Sequence, residues 1–420
     1  MNFLKSKFQD SSSLPLVVVA GIASYLDSAL LVSTGVALPL WTAKFSLNPW
    51  IVGLISTLLT AAVALGSFAG GWLSDKFGRV RVFNVDIFFV ALGSVILALA
   101  QSLPMILIGV VIAGFASGAD LPTSLAVISE RMTKDDYGKA IAGTQLFWTI
   151  GILLSQLIGS LTGGLGNHAT FVIFGVIAVI AFINWTVRMF SSSFKNIEEE
   201  LAAKQQKDQI YSQEKIPLRT LFKERKYVVS ILLLTLFYLA WNLPANTWGS
   251  FINYFLVTVS GKTVATASLI ALLANILCFL VNVWYLKIAD TKRRYPMMYI
   301  GIFVAFVSFV VAGIFTKQWL IFAVAYIFYS MSTVLCGESL YKTWSQLFYP
   351  MHTRASMTGF SYGLVRGCTA VFSLVTPTVM AISPKMLMWI LVGCVVIFGS
   401  CGVQIVKLIK KYNIEDPTMI

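Results

Sequence analysis

Residues 71–81 read Gly71-Trp-Leu-Ser-Asp75-Lys76-Phe-Gly78-Arg79-Val-Arg81, a short charged segment between two long apolar runs. Each run, at about 50–74 and 80–101, is long enough to cross a hydrocarbon core of about 30 Å as a helix. The two glycines let the flanking helices approach closely, and a carboxylate beside several cations can form ion pairs at a membrane surface. The segment therefore predicts a tight turn that joins two membrane helices and can act as an ionic latch.

The same alternation of apolar runs and short charged turns continues along the chain. The 420 residues are 57% hydrophobic and 12% charged. Soluble domains carry about 25% charged residues, so the composition excludes a water-facing globular enzyme. We expect an all-α integral membrane protein of twelve helices. The predicted helices span residues 15–41, 50–74, 80–101, 104–130, 138–164, 168–190, 228–257, 264–289, 295–316, 318–348, 354–382 and 384–411.

The charges between the runs predict the orientation of the chain. With the amino terminus inside, the outer connections hold only Lys44, Lys262, Lys317 and Lys385. Nearly all other Lys and Arg residues, including Arg188, then fall in inner segments. Because positive residues accumulate in inner connections, both termini are predicted on the cytoplasmic side of a plasma membrane, the inner membrane of a bacterium. The apolar run after the first ten residues is too long for a signal-peptide core and is predicted as the first span.

One long polar segment divides the chain into two halves. Residues 191–226 are rich in Glu, Lys and Gln and predict a cytoplasmic linker. It separates an amino-terminal six-helix half, residues 1–190, from a carboxy-terminal six-helix half, residues 227–420. Sliding one half over the other aligns Asp75 with Asp290, so charged turns recur at matching places. Such duplication is common in secondary transporters, and we expect a substrate path between the halves.

The turn from Gly71 to Arg81 resembles the loop signature of the major facilitator superfamily, G-x-L-x-D-(R/K)-x-G-R-(R/K), with Val80 as the departure. The twelve helices, the central linker and a weaker copy from Asp290 to Arg294 extend the resemblance over the whole chain. It implies the major facilitator fold and an inner gate closed by ion pairs, to which Asp86 is also assigned. The residues with implied gating roles are Gly71, Asp75, Gly78, Arg79, Glu130, Arg131, Asp290, Arg294 and Arg354.

Two other stretches resemble the sugar and polyol porters of that family, especially the bacterial inositol-type porters. They are the segments Gly114–Pro122 and Gly337–Gln346. The Pro-Glu-Ser-Pro-Arg sequence that such porters usually carry after the sixth helix is replaced here by Ser191-Ser-Ser-Phe-Lys, and their arginine in the fourth helix is missing. The resemblance therefore implies a polyol or related solute rather than a typical hexose.

Ionisable side chains inside the apolar runs are candidate functional groups, because each costs at least about 2.5 kcal/mol in hydrocarbon. Counting about 1.5 Å per residue from the inner helix ends places Asp27, Asp120, Glu338 and Arg366 at similar depths of about 15–18 Å. Lys342 follows Glu338 by one turn and is expected to pair with it. A carboxylate that faces a cavity can take up and release a proton near neutral pH.

Proton-coupling roles are therefore assigned to Asp27, Asp120 and Arg366. Resemblance supports Asp27, because proton-driven sugar porters have their coupling aspartate in the middle of the first helix. No cation is found near Asp27 in the first half, so Arg366 or Lys342 is its expected charge partner. The alternative for Asp27 is a buried carboxylate that hydroxyl groups satisfy, and the same alternative holds for Asp120 through Ser117, Thr123 and Ser124.

Recognition of a polyol requires paired hydrogen-bonding groups and flat apolar faces. The segment from Trp241 to Trp248 is rich in both, and Pro244 at its centre predicts a broken helix that would free backbone groups for a solute. The candidate solute-binding residues are Gln145, Trp148, Trp241, Asn242, Asn246, Trp248, Asn275, Glu338, Tyr341, Lys342 and Tyr362.

These features predict a monomeric, proton-coupled importer of a small polyhydroxylated solute, a sugar or a polyol such as inositol, that works by alternating access in the lipid bilayer. Sodium stays an alternative to the proton. Two other functions stay open: a drug/proton antiporter, although Gly151–Gly159 lacks the proline of those pumps, and a symporter of a charged or zwitterionic metabolite. No enzymatic activity, cofactor, metal or nucleic acid is expected, because no ligand spacing, phosphate loop or basic domain face occurs.

Overall fold

The computed structural model describes residues 14–77, 79–131, 134–190, 225–285, 288, 291–348, 354–412 and 414. These residues form thirteen α-helices and one 3₁₀ turn, Gly166–His168, and no strand occurs among them. The helices are α1 (Leu14–Phe45), α2 (Pro49–Phe77), α3 (Arg79–Ala98), α4 (Leu103–Arg131), α5 (Lys134–Thr162), α6 (Ala169–Phe190), α7 (Arg225–Thr258), α8 (Val264–Tyr285), α9 (Arg294–Ile314), α10 (Trp319–Cys336), α11 (Glu338–Phe348), α12 (Arg354–Ile382) and α13 (Pro384–Lys411).

Most of these helices are long and apolar enough to cross a membrane. Eleven such stretches occur in the described part of the chain, one of them made of α10 and α11 together. The remaining predicted span, α5, contributes a shorter apolar stretch from Leu146 to Thr162. The predicted class, an all-α integral membrane protein, is confirmed.

The chain forms two compact units. The first comprises Met1–Leu47 and Ile55–Gln213; within it α1 packs on α5, and α3 packs on both α4 and α6. The second comprises Asn48–Leu54 and Glu214–Ile420; within it α7 packs on α12 and α13, and α10 packs on α8 and α9. Residues 191–224 of the predicted linker lie outside the described part, and the predicted domain boundaries stay a prediction.

Small residues bring α2 and α4 of the first unit into close contact. A Cβ on Gly118 would collide with the carbonyl oxygen of Val63. The hydroxyl of Ser67 donates to the carbonyl of Gly118 at 3.0 Å, which is possible only because the two backbones approach so closely. Small residues at such crossings are typical of membrane helices, where packing replaces the hydrophobic effect. This contact holds the middle of α4 against α2.

The break predicted around Pro244 is wrong, and the helix break lies in the tenth span instead. Helix α7 continues through Pro244 from Arg225 to Thr258. A proline removes one backbone hydrogen bond, and membrane helices tolerate this loss because neighbouring groups can satisfy the freed carbonyl. The tenth span, predicted as one helix, divides at Gly337 into α10 and α11. A Cβ on Gly337 would collide with the carbonyl of Thr333 and lie 2.5 Å from Nε1 of Trp241, so a glycine fits where the chain passes over that ring.

Candidate functional site

A buried cluster of three charged side chains lies where α3, α4 and α6 of the first unit meet. Arg188, two residues before the end of α6, donates from Nη1 to Oδ1 of Asp120 at 2.8 Å and from Nη2 to Oδ2 at 3.3 Å. The same Nη1 lies 3.4 Å from Oδ1 of Asp86. All three side chains are at most 4% exposed. We call Asp86, Asp120 and Arg188 the Arg188 cluster.

The backbone and ring of Phe83 complete the setting of the guanidinium. Arg188 lies over the Phe83 ring, with Cζ 3.6 Å from the ring centroid, and its Nη1 donates to the Phe83 carbonyl. Phe83 and Asp86 are one turn apart on α3, so a single helix face supplies a carbonyl, an aromatic face and a carboxylate. Arg188 is thus held by three kinds of contact and is fixed in one orientation.

The position of Arg188 differs from the expectation. Arg188 does not lie in a connection, because it belongs to α6, and its side chain is 0% exposed and bound to two carboxylates; the predicted inner side of this helix end stays a prediction. The sequence does contain a signal for this burial: Arg188 lies within the predicted sixth helix, residues 168–190, and is a cation inside an apolar run. It also provides the first half with a buried cation, which the sequence does not predict near Asp27.

Asp27 of α1 is bonded to α4, the helix that carries Asp120. Asp27 is 4% exposed in the middle of α1, and Ser117 of α4 donates to its Oδ1 at 2.6 Å. Ser117 precedes Asp120 by one turn, so the two residues lie on the same face of α4. One face of α4 therefore carries both the donor to Asp27 and the carboxylate that binds Arg188. The hydroxyl partner agrees with the alternative weighed for Asp27, whereas Asp120 is held by the cation Arg188 and not by Ser117. The predicted pairing of Asp27 with Arg366 or Lys342 stays a prediction.

The polar groups of the second unit form neutral hydrogen bonds between α7 and α12. Thr369 donates to Oδ1 of Asn242 at 2.9 Å, and Nδ2 of Asn246 donates to Ser373 at 2.8 Å. The two contacts are one turn apart on each helix, so α7 and α12 present matching polar faces. One further predicted amide, Asn275, donates to the carbonyl of Ala271 in its own helix at 2.8 Å.

An aromatic stack adjoins these amides. Tyr238 of α7 stacks with Trp241, at 5.9 Å between centroids, and with Tyr341 of α11, at 4.4 Å, with both pairs inclined by 19°. Nε1 of Trp241 is buried and has no hydrogen-bond partner among the described residues. The break at Gly337 lies against this indole. Trp241 therefore combines a flat apolar face with an unused donor.

The other predicted solute residues have different surroundings. Glu338 and Lys342 form the expected pair one turn apart, with 3.0 Å between Nζ and Oε1 and side chains 40% and 55% exposed. Trp248 packs against four aromatic rings and belongs to the core of the second unit, so we do not include it in a solute site. Trp148 and Arg366 are half-buried.

Most of the predicted gate lies outside the described part of the structure. Arg294, at the start of α9, is buried. The structure does not describe the side chains of the remaining gating residues or of two predicted solute-binding residues, so their roles stay predictions. These residues are Gly71, Asp75, Gly78, Arg79, Glu130, Arg131, Asp290 and Arg354 for the gate, and Gln145 and Tyr362 for the solute.

Known proteins share this architecture. Residues 17–377 match the Major Facilitator Superfamily. The minor myo-inositol transporter IolF of Bacillus subtilis is 28% identical over 393 residues, which cover 92% of this chain and 89% of that protein. The plastidic glucose transporter 4 of Arabidopsis thaliana is 37% identical over 112 residues, which cover 27% of this chain and 20% of that protein.

A solved structure agrees with the fold over nearly the whole chain. The crystal structure of a D-xylose-proton symporter superimposes with a TM-score of 0.73 at 15% identity and covers 97% of this chain and 98% of that one. The predicted resemblance to sugar and inositol-type porters is confirmed, and the family consists of transporters rather than enzymes. Since the match spans most of its helices, this multi-pass membrane protein belongs to the Major Facilitator Superfamily.

Proposed function

We propose that this transporter takes up a small polyhydroxylated solute, a sugar or a polyol such as inositol, together with protons. It works as a monomer by alternating access in a plasma membrane, with both termini in the cytoplasm. The observation that carries the proposal is the face of α7 that presents Trp241, Asn242 and Asn246 within two turns. This face combines a flat ring, a buried indole donor without a partner among the described residues, and two half-buried amides.

This combination suits a neutral solute with several hydroxyl groups. Stacked rings bind the C–H surface of a polyol, and amides both donate to and accept from hydroxyls. Lys342 is already paired with Glu338, so it is less suited to balance an anionic solute. A relative that is similar over 92% of this chain is named as a myo-inositol transporter, which supports the same solute class.

Asp27 is the proposed coupling group for the proton. A buried carboxylate bonded to the hydroxyl of Ser117 can be neutral or charged without losing that contact, because the hydroxyl either donates or accepts. The name of the structural neighbour, a D-xylose-proton symporter, supports proton coupling. Sodium is the alternative ion, and the experiment below separates the two.

The test uses purified protein in liposomes. Uptake of labelled myo-inositol and D-xylose is measured with an inward proton gradient, with a sodium gradient and with neither, for the wild type and Asp27→Asn. We expect accumulation driven by the proton gradient in the wild type, loss of accumulation in Asp27→Asn, and exchange of internal for external solute in both. Exchange involves no net proton movement, so it reports solute binding and movement of the loaded carrier without the driving gradient.

A matched control in α1 is Thr34→Val, which removes a buried hydroxyl that bonds within its own helix to Leu30. It is expected to accumulate solute like the wild type. Accumulation that ignores the proton gradient would contradict symport with protons. Competition by organic cations or acids, and not by polyols, would contradict the proposed solute class.

A further inference from the structure

The two carboxylates of the Arg188 cluster share their cation unequally. Asp120 accepts two N–H groups of this guanidinium, at 2.8 and 3.3 Å, whereas Asp86 has one contact with it, at 3.4 Å. A guanidinium carries one positive charge and compensates one ionised carboxylate. The two-point geometry on Asp120 identifies that residue as the ionised partner.

Asp86 has an oxygen that the cluster does not use. Its Oδ2 is buried without a hydrogen-bond partner in the described part of the chain, and Nε of Arg188 is in the same situation. Asp86 is 6% exposed and Arg188 is 1% exposed. An ionised carboxylate is unfavourable in such surroundings unless both oxygens are bonded. A carboxylic acid carries no charge, and its O–H can donate to a neighbouring carboxylate.

The groups that face Asp86 come from each helix packed on α3. They are Asp120 of α4 and Arg188 of α6, and Asp27 of α1 adjoins them through Ser117. Along α3 itself the nearest described cation is Arg81, which lies with Asp86 at an apolar groove of about 580 Å³. The immediate contacts of Asp86 thus combine one carboxylate and one guanidinium.

From these contacts we propose that the Arg188 cluster is a proton-binding site distinct from Asp27, with the proton on Asp86 and with Asp120 ionised against Arg188. The proposal deepens the proposed function and rests on it for its role in transport. Nη1 of Arg188 touches both carboxylates, so a small shift of the guanidinium exchanges its partner. The O–H bond of Asp86 then breaks, an O–H bond forms on Asp120, and the cluster keeps its total charge.

This exchange moves a proton toward Asp27. Asp120 lies one turn from Ser117, the hydroxyl donor to Asp27, whereas Asp86 lies at the groove between α3 and α4. The proposed exchange therefore delivers the proton to the carboxylate that shares α4 with the donor to Asp27. Arg188 acts as the positioning residue, because it decides which carboxylate holds the proton.

Infrared spectroscopy of the protein in lipid bilayers tests this site without any solute. A protonated carboxyl group has a C=O band separate from those of carboxylates and amides. At neutral pH we expect the wild type to show such a band and Asp86→Asn to lose it. Asp120→Asn is also expected to lose it, because Asp86 then ionises to compensate Arg188. Asp27→Asn is expected to retain it.

Asparagine has the shape of a neutral aspartate, so Asp86→Asn is expected to fold with an unfolding temperature close to that of Ser94→Ala, a control in the same helix. If Asp86→Asn does not fold, Asp86→Glu replaces it and must retain the band at a shifted frequency. A band that neither Asp86 variant changes would overturn the proposal, as would its survival in Asp120→Asn. Since no transport is measured, this outcome is independent of gradient-driven uptake, and the two proposals can fail separately.

Discussion

The first unit contains a buried cluster of charged side chains, whereas the polar contacts between α7 and α12 of the second unit are neutral and only part-buried. Asp86, Asp120 and Arg188 meet at side-chain exposures of 4% or less. In the second unit, Asn242 and Asn246 bond to hydroxyls of α12 beside a stack of aromatic rings. A charged side chain is costly in hydrocarbon, whereas an amide costs much less. The first unit therefore offers groups that can bind a proton, and the second offers neutral hydrogen-bonding groups. We therefore propose that the first unit handles the proton and the second unit handles the solute.

The largest effect is expected from Arg188→Met, which leaves buried carboxylates without their cation. Breaking a buried pair by removing one partner costs about 3–5 kcal/mol, so the unfolding temperature in detergent should fall sharply. Lys342→Met in the second unit breaks a half-exposed pair, for which about 0–1 kcal/mol is expected.

The double variant Arg188→Met/Asp120→Asn is the check on the cause. It removes the ionised carboxylate together with the cation, so it should recover part of the lost stability. If Arg188→Met is as stable as the wild type, the stability of the first unit does not depend on the charges of the Arg188 cluster.

A smaller loss is expected from Gly337→Ala at the helix break of the second unit. The new methyl group would meet the Thr333 carbonyl and the Trp241 indole, and overpacking of this kind costs about 1–3 kcal/mol. Gly249→Ala is the matched control, because nothing lies within 4 Å of a Cβ at that position of α7. Equal unfolding temperatures for the two variants would contradict the close contact between the break and Trp241.

Trp241→Phe should act on solute binding more than on folding. The variant keeps an aromatic face and removes the Nε1 donor, and a net hydrogen bond of about 1 kcal/mol corresponds to roughly a fivefold rise in the exchange KM. Trp248→Phe, in the aromatic core, should leave that KM unchanged. An equal rise for both would remove Trp241 from the solute site.

The smallest effect is expected for the contact between Asn246 and Ser373. Hydrogen bonds between membrane helices are worth about 0.6 kcal/mol on average. A double-mutant cycle with Asn246→Ala and Ser373→Ala, read by thermal unfolding, should give a coupling energy of that order. A coupling of zero would mean that the amide is not engaged by α12 and faces the solute path alone.

The fold could be predicted because apolar runs and the turn at residues 71–81 are properties of consecutive residues. The pair Glu338–Lys342 could be predicted for the same reason, since its spacing within one helix brings the charges together. Arg188 could not be placed, because its partners come from α3 and α4 and only packing directs a helix-end side chain inward.

The helix break shows a second limit. Pro244 carries the strongest local signal for a break, yet α7 passes through it unbroken. At Gly337 the chain leaves the helix where it meets the indole of Trp241, nearly a hundred residues away in sequence. Similarly, the sequence offers Ser117 as a partner of Asp120, but its hydroxyl donates to Asp27 on another helix. Each of these features depends on contacts between helices.

The division of labour between the units is tested most directly by two variants in the same liposomes. For Asp27→Asn and Trp241→Phe, the accumulation ratio under a proton gradient and the KM of solute exchange are both measured with labelled myo-inositol. The account predicts that Asp27→Asn loses accumulation and keeps its exchange KM, whereas Trp241→Phe keeps accumulation at saturating solute and raises the KM. If both variants change the same quantity, proton and solute are not handled by separate units and the account is wrong.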